Sequence, residues 1–238
     1  ALAVFEGNLY AATWEPGEKD RGHVYRYAGG KAWIDCGALD ECNSVTSLAV
    51  HDGKLYAGSE LYSGCGSSLP LSPNTKHGGS VFRYEGGQSW TNCGKVADVR
   101  SISGLVSFNG KLYAGTGTTG AWRDTPRHRG MYRFDGIGKW IDCGCPDLRV
   151  VHLGVHNGDL FGLSYDAGGF FRYRGGKDWQ RLGPVPDSTQ AYSMAIYQGH
   201  LRVGTWPTGT VFTFDTPKKW TNSGRLGVEK EVMGMAVY

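Results

Sequence analysis

The sequence predicts an all-β fold, a five-bladed β-propeller with four antiparallel strands in each blade. Three observations predict it: a unit repeated five times, a two-residue apolar period inside each unit, and Gly-centred turns at fixed places. The segment Ser47–Ser59 (SLAVHDGKLYAGS) recurs as Ala1–Thr13, Gly104–Thr116, His152–Ser164 and Ser193–Thr205. Each copy is followed by a second unit of the type VYRYAGGKAWIDCG, anchored by Trp33, Trp90, Trp140, Trp179 and Trp220. The anchors lie ~40–57 residues apart, and differ in spacing through the loops between units. The expected blades run over 1–37, 45–94, 102–144, 150–183 and 191–224 of a single domain, 1–238.

Each element follows from local chemistry. Leu48 and Val50 alternate with Ala49 and His51, then Leu55 alternates with Lys54 and Tyr56, around the turn Asp52-Gly53. Asp-Gly or Asn-Gly between alternating runs is a strong hairpin signal, because a tight turn needs positive φ. Asn109-Gly110 and Asn157-Gly158 repeat it. The second hairpin turns on Gly29-Gly30, Gly86-Gly87 and Gly175-Gly176. Four short strands, a to d, therefore make each blade, and no segment reads as a helix. A sixth copy of strand a, within 232–238, has no b, c and d of its own. It would close the first blade, dock elsewhere, or belong to a longer array, and a free edge would support an oligomer.

Composition bounds the function without naming it. Gly supplies 38 of 238 residues, about 16 % against a usual ~7 %, without the three-residue period of collagen. Aromatic residues at 13 % exclude a disordered chain. No apolar run reaches the ~18–20 residues of a membrane-spanning helix. The chain opens on Ala1 inside an apolar run, which reads as a mature or excised chain. A net charge of +3, with the basic residues scattered, argues against a nucleic-acid partner.

Five blades of this length resemble the tachylectin-type five-bladed propeller lectins. The strands themselves are similar to bacterial propeller repeats of the pattern DGKLYAGT…VYRYDGG..W. The resemblance covers essentially the whole chain and implies the fold, with carbohydrate binding as the expected activity.

Alternating strand direction puts the short a–b and c–d turns on one face and the longer b–c and d–a loops on the other. Function on repeat scaffolds collects where loops vary. Trp14, Trp122 and Trp206 open or occupy b–c loops, where an aromatic face can bury the C–H side of a sugar ring. Taken singly, each reads first as a cap on its blade core. Arg123, Asp124 and His128 from the third b–c loop, with Asp98, Arg100, Asp147, Arg149 and Tyr192 from d–a loops or strand starts, supply a polar rim. The expected function is therefore a secreted lectin-like protein, with a protein-interaction scaffold as the alternative. Catalysis is disfavoured because the innermost strands carry no acid, whereas hydrolysis needs two placed carboxylates. A polysaccharide lyase could instead use Arg149, His152 and Tyr192.

No cofactor or metal is expected. The G-x-G-x-x-G match at Gly115–Gly120 ends a strand with no helix after it. His152 and His156 would lie ~13 Å apart along a strand, too far to share an ion, and His51 and His156 read as packing residues. Cys36, Cys93 and Cys143 hold one repeat position in three blades, too distant to pair with one another. Local partners Cys42, Cys65 and Cys145 then suggest disulfides and an oxidising, extracellular compartment.

Overall fold

A computed structural model describes residues 1–64, 70–117 and 130–237. Its strands form five separate four-stranded antiparallel sheets, each in simple sequence order. Sheet 1 holds β1–β4 (Leu2–Phe5, Asn8–Ala12, His23–Gly29, Ala32–Ala38), and sheet 2 holds β5–β8 (Ser44–His51, Lys54–Glu60, Ser80–Gly86, Ser89–Lys95). Sheet 3 holds β9–β12 (Ile102–Phe108, Lys111–Thr116, Gly130–Phe134, Trp140–Asp142). Sheet 4 holds β13–β16 (His152–His156, Asp159–Leu163, Phe170–Gly175, Asp178–Arg181), and sheet 5 holds β17–β20 (Gln190–Tyr197, His200–Trp206, Thr210–Thr216, Lys219–Arg225). This is the strand content and order of a five-bladed β-propeller. The chain divides into two compact units, Ala1–Asp142 and Cys143–Tyr238. Among the described residues the sole helical element is a short 3-10 turn, Asp166–Gly168, and no helix is long and apolar enough to cross a membrane.

The first hairpin of every sheet closes as its sequence requires. Glu6, Asp52, Asn109, Asn157 and Gln198 all take positive φ, each followed by a glycine that does the same. Asp52 and Gly53, at φ 47° and 64°, give the turn whose twist matches the two strands it joins. In sheets 2 to 5 the leucine after this turn is fully buried: Leu55, Leu112, Leu160 and Leu201. Replacing any of them by Ala would cost about 2–5 kcal/mol.

Two devices hold the repeat together. In sheets 1 to 3 the Ser or Thr at the end of strand b spans the variable loop and clamps the start of strand c. Thr116 Oγ1 donates to the Gly130 carbonyl at 3.1 Å and accepts from the Gly130 N–H at 2.9 Å. Ser59 does the same with Ser80, and Thr13 with His23. The loop between clamp points can therefore change freely. The second device is the anchor Trp, whose ring packs on the aromatic residue opposite it in strand c at 4.9–5.2 Å in all five sheets. In sheets 2 and 3 its indole N–H also reaches the preceding sheet, Trp90 donating to Cys36 O at 2.7 Å and Trp140 to Cys93 O at 3.4 Å, while Trp179 donates to Cys143 O, ahead of its own sheet, at 2.9 Å. A Cβ at Gly37, where φ is 92°, would sit 2.9 Å from Gln88 O, so this approach of neighbouring sheets needs glycine there.

The expected disulfides are not formed. No disulfide exists among the described residues. Cys36, Cys42, Cys93 and Cys143 are buried, at 0–3 % exposure. The thiols of Cys36 and Cys42 donate to carbonyls of their own segments, Ile34 O and Ser44 O. Burial first, then the Asp40 carboxylate, pushes the Cys42 thiol well above its ordinary range. Cysteine here fills the end of strand d as a small apolar residue, leaving its carbonyl for the next sheet's indole. Cys145 Sγ donates to Asp147 O rather than bonding Cys143. Cys65 lies outside the described residues.

At the C-terminal end, Val232 docks on sheet 5: its N–H donates to Thr205 O, and Ser193 Oγ donates to Val232 O at 2.7 Å. Ile102 takes the same position on sheet 2, accepting from Ser47 Oγ at 2.7 Å. Residues 233–237 form no strand.

Candidate functional site

The residue after the Ser or Thr at the end of strand b adjoins the long loops, and in sheets 1, 4 and 5 this position is aromatic. Tyr165 follows Ser164, and Trp206 follows Thr205. Trp206 is the register partner of Gln190, and two residues on Tyr192 occupies a β-bulge between Ala191 and Ser193. Bulges re-aim a side chain out of the alternating pattern. Thr46 and Ser103 fill the same bulge in sheets 2 and 3, so a small hydroxyl residue there is replaced by a tyrosine here.

Tyr165 and Tyr192 meet edge to face with ring centroids 4.9 Å apart and hydroxyls 3.1 Å apart. Tyr192 Oη donates to Gln190 Oε1 at 2.5 Å. Burial first, then the Tyr165 hydroxyl and charge and the Glu231 carboxylate, pushes the Tyr192 phenol far up, so it stays a donor at all working pH. Arg149 lies over the Tyr165 ring at 4.3 Å. Its guanidinium makes a forked pair with Asp166, Nε to Oδ2 at 2.8 Å and Nη2 to Oδ1 at 2.9 Å. The Arg149 side chain is 7 % exposed and that of Asp166 30 %. A buried guanidinium needs such a bidentate partner, and the aromatic face beneath it adds a second attraction.

The 3-10 turn sets Asp166. Ala167 takes φ 52°, Gly168 donates to Thr189 O, and Val185 donates to Gly168 O. A five-residue b–c loop is thus pinned on both sides, with its acid toward Arg149. The result is a patch of two phenols, an amide and a carboxylate-paired guanidinium, with the Glu231 carboxylate close enough to act on the Tyr192 phenol. It can offer aromatic surface and directional hydrogen bonds to a hydroxyl-rich ligand. His152, at the start of β13, is kept on the neutral side of its titration by burial.

The other expected residues are placed as follows. Arg149 and Tyr192 join through Tyr165, and Asp147 sits beside the same loop, its Oδ1 accepting the Leu148 N–H. Trp14 is used in packing: its indole donates to Tyr62 O at 3.1 Å, and the two rings meet edge to face at 5.5 Å. Asn43, fully buried, ties the same Tyr62 segment by bonds to its N–H and carbonyl. Asp98 makes an exposed pair with Lys95 at 3.5 Å, and the Arg100 carbonyl accepts from Leu61 N–H. Trp122, Arg123, Asp124 and His128 lie outside the described residues. Tyr165 and Asp166 were missed by sequence reasoning, although Tyr165 holds the repeat position of Trp14 and Trp206.

Among the described residues no group of three or more His, Cys, Asp or Glu could hold a metal ion. No family model matches the chain, and no curated protein matches it. Solved structures do share its fold. The extracellular domain of a one-component system from B. thetaiotaomicron superposes with a TM-score of 0.62 at 12 % identity, over 98 % of this chain and 29 % of that one. A catalytically inactive variant of virginiamycin B lyase from Staphylococcus aureus, solved with quinupristin, gives 0.68 at 11 % identity over 95 % and 69 %. A streptogramin B lyase gives 0.66 at 10 % over 96 % and 68 %. The chain thus spans less than a third of the first structure and about two thirds of the lyases. At this identity the likeness shows the β-propeller fold alone, and no tachylectin-type protein is among these three.

Proposed function

We propose that the chain is an extracellular carbohydrate-binding propeller whose ligand sits on the long-loop side of sheets 4 and 5. The observation that carries this reading is the Arg149–Asp166–Tyr165–Tyr192–Gln190 cluster. Sugars need apolar faces beside fixed donors and acceptors, and this patch supplies both. Trp206, in register with Gln190, extends the aromatic surface. The extracellular setting is supported by the neighbour that is itself an extracellular domain.

The test is a glycan-array screen of the folded protein across neutral, acidic and microbial polysaccharides, repeated with Tyr192→Phe. A hit should weaken about tenfold in the variant, which loses its bonds to Gln190 and Tyr165, equivalent to about 1.4 kcal/mol. A blank array on folded protein, or a hit indifferent to Tyr192, would overturn the proposal in favour of a protein-binding scaffold. Incubating the hit with protein and assaying for an unsaturated product tests the lyase alternative directly.

A further inference from the structure

The five repeats serve as an internal alignment, and one cavity collects their departures. It is a cleft of about 230 Å³ at the hairpin-turn ends of sheets 4 and 5, away from the long loops. Its floor is Phe161, Leu182 and Phe214, and its rim includes His156, Asp159, Arg172 and Asp215. Phe161 stands where sheets 1 to 3 carry Tyr10, Tyr56 and Tyr113. Leu182 stands where they are followed by Cys36, Cys93 and Cys143. Asp159 replaces Asn8, Lys54 and Lys111, and Thr216-Pro217 replaces the Gly-Gly of the second hairpin turn.

These changes have a physical effect. In sheet 2 Tyr56 and Arg83 are register partners on neighbouring strands, so tyrosine and arginine together fill this end of the strand. Phe161 lacks the tyrosine hydroxyl, and Arg172 turns to Asp159 at 2.9 Å and to Gln180 Oε1 at 2.7 Å. Phe161, 3 % exposed and stacked on Phe170, meets Phe214 edge to face at 5.9 Å, and the half-buried Phe214 is the ring more open to the cleft. Asp215, at its mouth, accepts a bond from Thr221 Oγ1 at 2.7 Å. Burial first, then the nearby His200, holds His156 toward its neutral form. With Arg172 offset by Asp159, the lining carries one net negative charge, on Asp215. The volume equals about eight liquid waters at ~30 Å³ each, so one ring fits and an oligomer does not.

We propose that this cleft is a second binding site, for a small single-ring organic amine whose ring lies against Phe214, with Phe161 on the floor beneath, and whose ammonium meets Asp215. The site is independent of carbohydrate binding at the long loops. The experiment is an amide-resolved NMR titration with benzylamine, with benzyl alcohol as the uncharged control of the same shape. Benzylamine should shift the Asn157 and Thr216 amides, and benzyl alcohol should bind about tenfold more weakly. Phe161→Tyr restores the residue used in three other repeats, so it should fold normally while weakening benzylamine binding about tenfold. Asp215→Asn should erase the difference between amine and alcohol. No shift at Asn157 and Thr216, equal binding of amine and alcohol, or full affinity in a folded Phe161→Tyr protein would each overturn the proposal.

Discussion

Sheets 1 to 3 and sheets 4 to 5 are built from one repeat, and they use it differently. In the first three, strand c carries Arg26, Arg83 and Arg133, strand b carries tyrosine, and strand d leads into a cysteine. Sheets 4 and 5 break this set at Phe161, Leu182, Arg202, Thr213 and Ser223. Arg202 in sheet 5 reaches Thr213 and Ser223 at 2.7 and 2.8 Å, so an arginine has moved from strand c to strand b. The backbone pairing is the same in both regions. Side-chain identity at a few positions is therefore free to vary once turns, clamps and leucines fix the sheet, and the variation gathers where ligands could bind.

The sharpest way to break the comparison is through two arginine–carboxylate pairs. Arg149→Ala removes a buried guanidinium from Asp166 and should destabilise by about 2–4 kcal/mol in urea unfolding. Arg83→Ala breaks a pair whose side chains are each 33 % exposed, and should cost under about 1 kcal/mol. Equal effects would show that burial of Arg149 carries no energetic weight. The clamps come next. Thr116→Val leaves a buried N–H and carbonyl of Gly130 without their partner, a loss of about 1–3 kcal/mol. Ser164→Ala should be close to neutral, because Ser164 Oγ is buried without a hydrogen-bond partner among the described residues. The indoles give a smaller contrast. Trp90→Phe forfeits the bond to Cys36 O and should cost about 1 kcal/mol more than Trp220→Phe, whose Nε1 is buried with no partner among the described residues.

The smallest effect is a pH dependence. Burial lowers the pKa of His51, His77, His152 and His156, so the unfolded chain binds protons that the native one refuses. Stability should be full above the unfolded value near ~6.5 and fall as pH drops below it. Urea midpoints at neutral and mildly acidic pH would measure the slope, and His152→Gln should flatten part of it.

Much of this was legible in the sequence because hairpins are local. Asp52-Gly53 with its flanking alternation specifies two strands and their register without reference to anything distant. The same holds for the other turns, and five copies exclude accident. The position of Tyr165 was legible too, through its equivalence to Trp14 and Trp206, had the aromatic rather than the indole been followed. Asp166 was not, because its direction depends on a three-residue turn held by Thr189 and Val185 from elsewhere in the chain. The cysteines failed for a related reason. Equal spacing showed that Cys36, Cys93 and Cys143 are equivalent, yet spacing cannot distinguish a cross-link from a small buried residue whose carbonyl receives an indole.

The sequence by itself determined the all-β class, the five sheets, their strand order and the division between short turns and long loops. Those follow from period, turn chemistry and repetition, which act over a few residues. Tertiary structure alone decided that Trp14 packs on Tyr62, that Arg149 pairs with Asp166, and that Phe161 opens a cleft rather than filling it. Each of those outcomes depends on which side chains converge from distant segments, and on whether burial leaves a polar group partnered. No local pattern carries that information, because the free energy of a buried contact belongs to the pair.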